Sequence, residues 1–133
     1  EFARTSDELI ITTDDGSYGR KALVTEPLKE LCLADPRPDK VFAIGPAIMM
    51  KFCCDVTKEF EIPTEVSLNT IMIDGTGMCG GCRIEFDGHP KFVWVDGPEF
   101  DGHEVDWGEL TFRRRSYLDE EVRSLSEFET RTY

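Results

Sequence analysis

The sequence predicts an α/β chain in two parts, strands and helices in alternation followed by a smaller β-rich segment. Three observations carry this. Up to Phe60, short β-branched runs alternate with blocks of helical periodicity. After Pro63 the chain turns to short strands, Asp-Gly turns and glycine loops. The charge shifts at the same place, from 11 acids and 8 bases in residues 1–60 to 16 acids and 7 bases in 61–133. The expected organisation is therefore 1–62, 63–115 and 116–133, the last a C-terminal helix or tail.

In the first part, residues 8–13 form a β-branched run closed by the turn-forming cluster Asp14-Asp15-Gly16-Ser17. Thr25 is a candidate helix cap, with Pro27 in the first turn and Leu28, Leu31 and Cys32 on one face. Residues 40–44 are a second buried-strand candidate, ended by Gly45-Pro46. Met49, Phe52, Cys53, Val56 and Phe60 then recur at the spacing of one helix face. Strand, loop and helix, twice over, is the signature of a parallel sheet with crossover helices. Such sheets bind ligands at the carboxyl ends of their strands. That makes Asp15, Gly16, Ser17 and Tyr18 in the first loop, and Gly45 and Pro46 in the second, the candidate ligand-binding residues. Gly before a Pro at a helix's first position leaves room for a ligand. The G-x-G-x-x-G fingerprint is absent, and two strands do not make a sheet that folds alone. The chain reads as beginning inside a nucleotide-binding domain.

In the second part, residues 83–86 and 91–95 flank Asp87-Gly88-His89-Pro90 and predict a hairpin with an Asp-Gly turn. Residues 96–108, with two more Asp-Gly pairs and Trp107, predict a loop anchored by aromatic side chains. Ser116 with Asp119 resembles a helix start, and Leu118, Val122 and Leu125 give it a short apolar stripe. Residues 129–133 read as frayed or as part of a longer tail.

Composition narrows the function. The 133 residues carry a formal charge of -12 and a pI near 4.5, and neutralising phosphates calls for a basic patch, so nucleic-acid binding is not expected. The apolar runs are far shorter than the roughly 20 residues that span a bilayer, and no basic-then-apolar start reads as a signal peptide. A cytoplasmic protein without a membrane partner is the expectation. Five cysteines are an odd number for a disulfide framework, which favours reduced thiols or metal ligation. Cys32, Cys53 and Cys54 read as packed helix residues, and Met49 and Met50 as core.

The chemistry-bearing segment is Asp74-Gly-Thr-Gly-Met-Cys79-Gly-Gly-Cys82-Arg83. A plant-type two-iron cluster takes its ligands with the spacing C-x4-C-x2-C and a distant fourth Cys. Asp74 to Cys79 is x4 and Cys79 to Cys82 is x2, so a carboxylate stands where the first thiolate would be. Glycines at 75, 77, 80 and 81 let the backbone wrap closely and aim N–H groups at sulfides.

These residues, with Val66-Ser67-Leu68-Asn69 and the run Val95-Asp96-Gly97-Pro98-Glu99-Phe100-Asp101-Gly102-His103, resemble the iron-sulfur domain of a flavoprotein family. It comprises the electron-transfer subunit of dihydroorotate dehydrogenase and the small subunit of NADH-dependent ferredoxin:NADP oxidoreductase, also called sulfide dehydrogenase. Residues 12–19, and Ile44-Gly45-Pro46 with Met49-Met50, resemble the two loops that hold the nicotinamide dinucleotide in this ferredoxin-reductase-like family. The resemblance implies the C-terminal half of a nucleotide-binding domain followed by a small iron-sulfur domain. It also implies NAD(P) and FAD in the full-length parent, a 2Fe-2S cluster, and a larger oxidoreductase subunit as partner. The parent would be an NAD(P)H-dependent flavin iron-sulfur oxidoreductase subunit, and the isolated chain would not complete the hydride transfer.

In that resemblance Asp74, Cys79 and Cys82 are the metal-ligand candidates, and the fourth ligand is a cysteine just before V-D-G-P. Here that position is Trp94, a donor-only indole that cannot ligate iron. The open readings are an absent cluster with Trp94 filling its cavity, a substitute ligand (Asp96, His89, His103 or a water), or a change peculiar to this copy of the sequence. Zinc on Cys79 and Cys82 with Asp74 and a His is the alternative metal. A cluster-less or zinc-bound docking module that kept the fold is the alternative function. His89 and His103 otherwise read as surface turn residues. Arg113-Arg114-Arg115 reads as a solvated face or as the partner of Asp119-Glu120-Glu121.

Overall fold

The computed structural model describes residues 2–131; Thr132 and Tyr133, at the end of the expected tail, lie outside the described residues. It divides into two compact units, one running to Ser67 with 101–103 added, the other built from 68–100 and the chain from 104 onward. The mixed α/β class of the sequence reading is what the chain adopts.

In the first unit a short 3-10 turn, Phe2–Arg4, precedes β1 (Thr12–Thr13) and β2 (Arg20–Lys21), which pair in parallel. The strand expected over 8–13 shrinks to β1 because its partner is the chain immediately downstream. Arg20 N–H donates to the Ile11 carbonyl and Ala22 N–H to that of Thr13, which leaves Leu9 and Ile10 exposed. α1 (Thr25–Leu33) buries Pro27 and Cys32, and Val24 rather than Thr25 holds the cap position. The Glu26 carboxylate accepts the Leu23 N–H at 3.1 Å and satisfies a donor just ahead of the helix.

β3 (Val41–Ile44) and β4 (Thr64–Ser67) pair in parallel, Val41 with Thr64 through Ile44 with Ser67. The crossover between them is α2 (Ala47–Glu59), whose Met50, Cys53, Cys54 and Thr57 face inward, the βαβ unit that the sequence pattern anticipated. Its partner strand is β4 and not the 8–13 run. Pro46 sits at the N-cap of α2, one position earlier than expected. The buried hydroxyls are paired: Thr64 donates to Thr57 Oγ1 at 2.5 Å, Thr57 donates to the Cys54 carbonyl, and His103 Nε2 stands 3.1 Å from Thr57 Oγ1. Gly102 closes this core. A Cβ there would lie 2.3 Å from Cys54 Sγ and 2.8 Å from Val66 Cγ1.

In the second unit β5 (Arg83–Phe86) and β6 (His89–Phe92) form the expected hairpin. Asp87 (φ 49°) and Gly88 (φ 70°) both take left-handed dihedrals, as a two-residue type I′ turn requires. The second strand stops at Phe92, because Val93–Asp96 is a helical turn, α3, whose Asp96 carboxylate reaches back to accept the Phe92 N–H at 2.7 Å. The loop expected over 96–108 is likewise partly regular. It contains β7 (Glu99–Asp101), whose last residue is counted with the first unit, and the start of α4 (Trp107–Arg113), capped by Asp106, which accepts the Glu109 N–H at 2.9 Å. Ile84, Val93, Phe100, Val105 and Leu110 are the buried core, with the Phe86 and Phe100 rings 5.4 Å apart. α5 (Leu118–Arg131) follows, begins two residues after Ser116, and carries its apolar stripe exposed. None of the helices is long and apolar enough to cross a membrane among the described residues.

Candidate functional site

Two regions carry the candidate residues, one in each unit. In the first unit a groove of about 440 Å³ lies among Thr12 and Asp14 at the end of β1, Leu23, Val24 and Thr25 at the start of α1, and Pro46, Ile48, Met49 and Phe52 at the start of α2. Strand end and helix starts meet here because each strand gives way directly to a turn and a helix. Met49 is the floor of this groove beside Gly45. A Cβ on Gly45 would press within 2.8 Å of Met49 Cε, so the absence of a side chain lets the methionine lie back.

Of the expected residues, Pro46 lines the groove, Gly45 shapes it through Met49, and Asp15, Gly16, Ser17 and Tyr18 form a neighbouring turn outside its lining. That turn is internally tied. Thr13 Oγ1 donates to the Tyr18 carbonyl at 2.9 Å, and the Ser17 N–H donates to Asp15 Oδ1 at 2.9 Å. Those Ser17 hydrogen bonds hold the Asp15 carboxyl below the usual carboxylate range. Gly19, φ 71°, approaches the Ile11 carbonyl so closely that a Cβ would lie 2.3 Å from its oxygen. Thr12 and Asp14 fall within the 12–19 stretch singled out by resemblance, whereas Thr25 and Phe52 were not expected at this site. Thr25 carried a signal, a hydroxyl at a helix start next to a strand end, but was read only as a cap.

In the second unit the ligand loop runs from Asp74 to Cys82. The Asp74 carboxylate accepts three hydrogen bonds, from the Thr76 N–H at 3.0 Å, the Thr76 hydroxyl at 2.8 Å and the Cys79 N–H at 2.9 Å. These bonds, first of all those of Thr76, pull its pKa strongly down, so the group is a carboxylate at neutral pH. The Gly81 N–H donates to Cys79 Sγ at 3.3 Å. Cys79 is exposed and Cys82 buried.

Trp94 is the second residue of α3, beside this loop. A Cβ built on Gly77, φ 83°, would stand 3.1 Å from Trp94 Cδ1 and 2.7 Å from Val95 Cγ2. Among the described residues no three His, Cys, Asp or Glu side chains are gathered as a metal site. The substitute ligands considered from sequence are placed otherwise. Asp96 is occupied by the Phe92 N–H and, at 3.6 Å, by Lys91; His103 belongs to the first unit beside Thr57; His89 lies on the hairpin. Arg113 pairs with Glu109 at 3.7 Å and donates to the Gly81 carbonyl at 3.4 Å. The remaining cysteines are buried, which raises the thiol pKa of Cys32 and Cys53 and pushes that of Cys54 up to about 12.

Residues 69–106, the segment that contains this loop, match the family described as the iron-sulfur cluster binding domain of dihydroorotate dehydrogenase B. Over 128 residues the chain is 50% identical to a dihydroorotate dehydrogenase B electron-transfer subunit homolog of Thermotoga maritima. The chain is a homologue of these electron-transfer subunits. A probable electron-transfer subunit of the same enzyme from Methanocaldococcus jannaschii is 37% identical over 115 residues, 77% of this chain and 44% of the relative. Among solved structures, a chain of the NADH-dependent reduced ferredoxin-NADP oxidoreductase, a protein studied for flavin-based electron bifurcation, superposes with a TM-score of 0.83. It is 49% identical and is matched over 94% of this chain and 45% of its own length. The ferredoxin-reductase-like architecture expected from sequence is thus the fold of the homologue. The chain covers 96% of its own length against the Thermotoga subunit but 45% of that subunit, so it spans less than half of the curated relatives it matches.

The electron-transfer subunit family supplies a test of the loop. A two-iron cluster takes four protein ligands, Cys thiolates in most and two His in Rieske centres. This chain offers Asp74, Cys79 and Cys82, has no cysteine after Cys82, and carries an indole at 94. The residues present do not complete the set.

Proposed function

We propose that this chain forms the nicotinamide-nucleotide-binding part, with the iron-sulfur-type domain, of the electron-transfer subunit of a flavin-dependent NAD(P)H oxidoreductase. The assembled enzyme would pass electrons from NAD(P)H by way of FAD toward a larger partner subunit. The observation that carries the reading is the groove among β1, α1 and α2. It lies at the carboxyl end of a strand beside two helix starts, where backbone N–H groups favour phosphate.

Within the groove the division of labour follows from the side chains. The hydroxyls of Thr12 and Thr25 suit ribose or phosphate oxygens, while Ile48, Met49 and Phe52 offer an apolar surface for a flat ring. Excluding water from that ring is the chain's share in hydride transfer; a bound flavin would supply the acceptor. Phe42 and Ile44 of β3 are 63% and 73% exposed. A parallel sheet is normally covered on both faces, so this apolar strand face suits a further part of the subunit. No step is carried through a cluster, because the residues present do not complete one.

Titration of the full-length protein with NADH and with NADPH tests the reading. Met49→Trp fills the groove and is expected to weaken binding of the preferred nucleotide about tenfold or more, about 1.4 kcal/mol, with an unchanged circular dichroism spectrum. Equal affinity in wild type and variant would overturn it.

A further inference from the structure

Three observations on the second unit bear on what its loop does, and they stand apart from the nucleotide groove. The first is the donor count. After Asp74, Cys79 and Cys82 no cysteine follows, and Cys32, Cys53 and Cys54 are buried in the other unit, in α1 and α2.

The second observation is how the loop is held. Asp74 accepts from the Thr76 N–H and hydroxyl and from the Cys79 N–H, the Thr76 hydroxyl in turn accepts the Met78 N–H at 3.3 Å, and the Gly81 N–H is spent on Cys79 Sγ. Ligating carboxylates and thiolates accept such bonds in cluster domains too, so these contacts show how the loop is tied, and it is the donor count and position 94 that decide against a cluster.

The third is Trp94. Its ring edge and the Val95 side chain lie so close to Gly77 that even a methyl group would not fit without displacement. One edge of the indole thus borders the middle of the loop, between the first two candidate ligands, while Trp94 stays 54% exposed. It has only an N–H to offer, so it does not ligate iron.

We infer that the iron-sulfur-type domain of this chain holds its fold without a cluster, because Asp74, Cys79 and Cys82 leave the ligand set one short and an indole stands at position 94, where the fourth ligand would be. Electrons reaching the flavin of such a subunit leave by a route other than this domain.

The test uses the full-length protein, purified anaerobically and then treated with ferrous iron and sulfide. Flavin absorbs in the visible region, so iron, zinc and acid-labile sulfide content and the electron paramagnetic resonance signal after reduction are the readouts. Wild type is expected to stay substoichiometric in all three elements and to give no reduced-cluster signal, while Trp94→Cys takes up iron and sulfide in equal, stoichiometric amounts. The thermal midpoint of wild type is expected to be the same with and without chelator. A stoichiometric cluster in wild type, or stoichiometric zinc, would overturn the inference. If Trp94→Cys does not fold, the wild-type metal content and the chelator comparison still decide it. Nucleotide affinity is measured separately, so a failure of the groove assignment leaves this result unaffected.

Discussion

Single residues carry most of the contrast between the two candidate regions. Cys79 is exposed, whereas the three helix cysteines are buried. Burial holds Cys54 near 12, so it has almost no thiolate at neutral pH, and the thiolate is the reactive form. Alkylation of the native protein followed by peptide mass mapping is therefore expected to label exposed Cys79 first and Cys54 only after denaturation. Gly102 is the other decisive residue. Placing a methyl 2.3 Å from Cys54 Sγ overpacks a closed core, and Gly102→Ala is expected to cost about 1–3 kcal/mol in denaturant unfolding. Residue types told us where chemistry was concentrated: Asp74, Cys79 and Cys82 announce themselves by spacing. What they do not announce is that Thr76 and Cys79 backbone groups would occupy the Asp74 carboxylate. That depends on loop closure, which no spacing rule encodes.

Elements were legible where periodicity or turn chemistry was strong. α2 followed from its apolar spacing, and the β5–β6 hairpin from Asp87-Gly88, whose residues take the two left-handed conformations that the turn demands. The first strand was over-read, because β-branched composition does not say which backbone pairs with it. Residues 93–95 read from sequence as the end of a strand because Val-Trp-Val looks extended, whereas Asp96 bonding back to Phe92 winds the segment into a turn. The same kind of local hydrogen bond starts α4. Asp106→Ala removes the acceptor for the Glu109 N–H, and it is expected to lower stability by about 1 kcal/mol, as read from thermal or denaturant unfolding. Asp106→Asn, which keeps an acceptor, is expected to recover most of that loss.

At the scale of the whole molecule, the charge asymmetry and the change of character near Pro63 set an expectation of a boundary there, while the two compact units meet in sequence at Ser67 and Leu68. The return of 101–103 to the first unit was not legible. It rests on Gly102, whose N–H donates to the Thr64 carbonyl at 2.8 Å, and on His103 beside Thr57, contacts between residues far apart in sequence. The groove was legible in outline, as loops at strand ends, but its lining came from Thr12, Thr25, Met49 and Phe52 rather than from the 15–18 turn. The account's central claim is that this groove takes the nicotinamide nucleotide. A crystal structure of the full-length protein with NADH or NADPH tests it most directly. The account predicts the nucleotide between Thr12, Thr25, Pro46 and Met49; a nucleotide bound elsewhere, with this groove left to solvent, would contradict it.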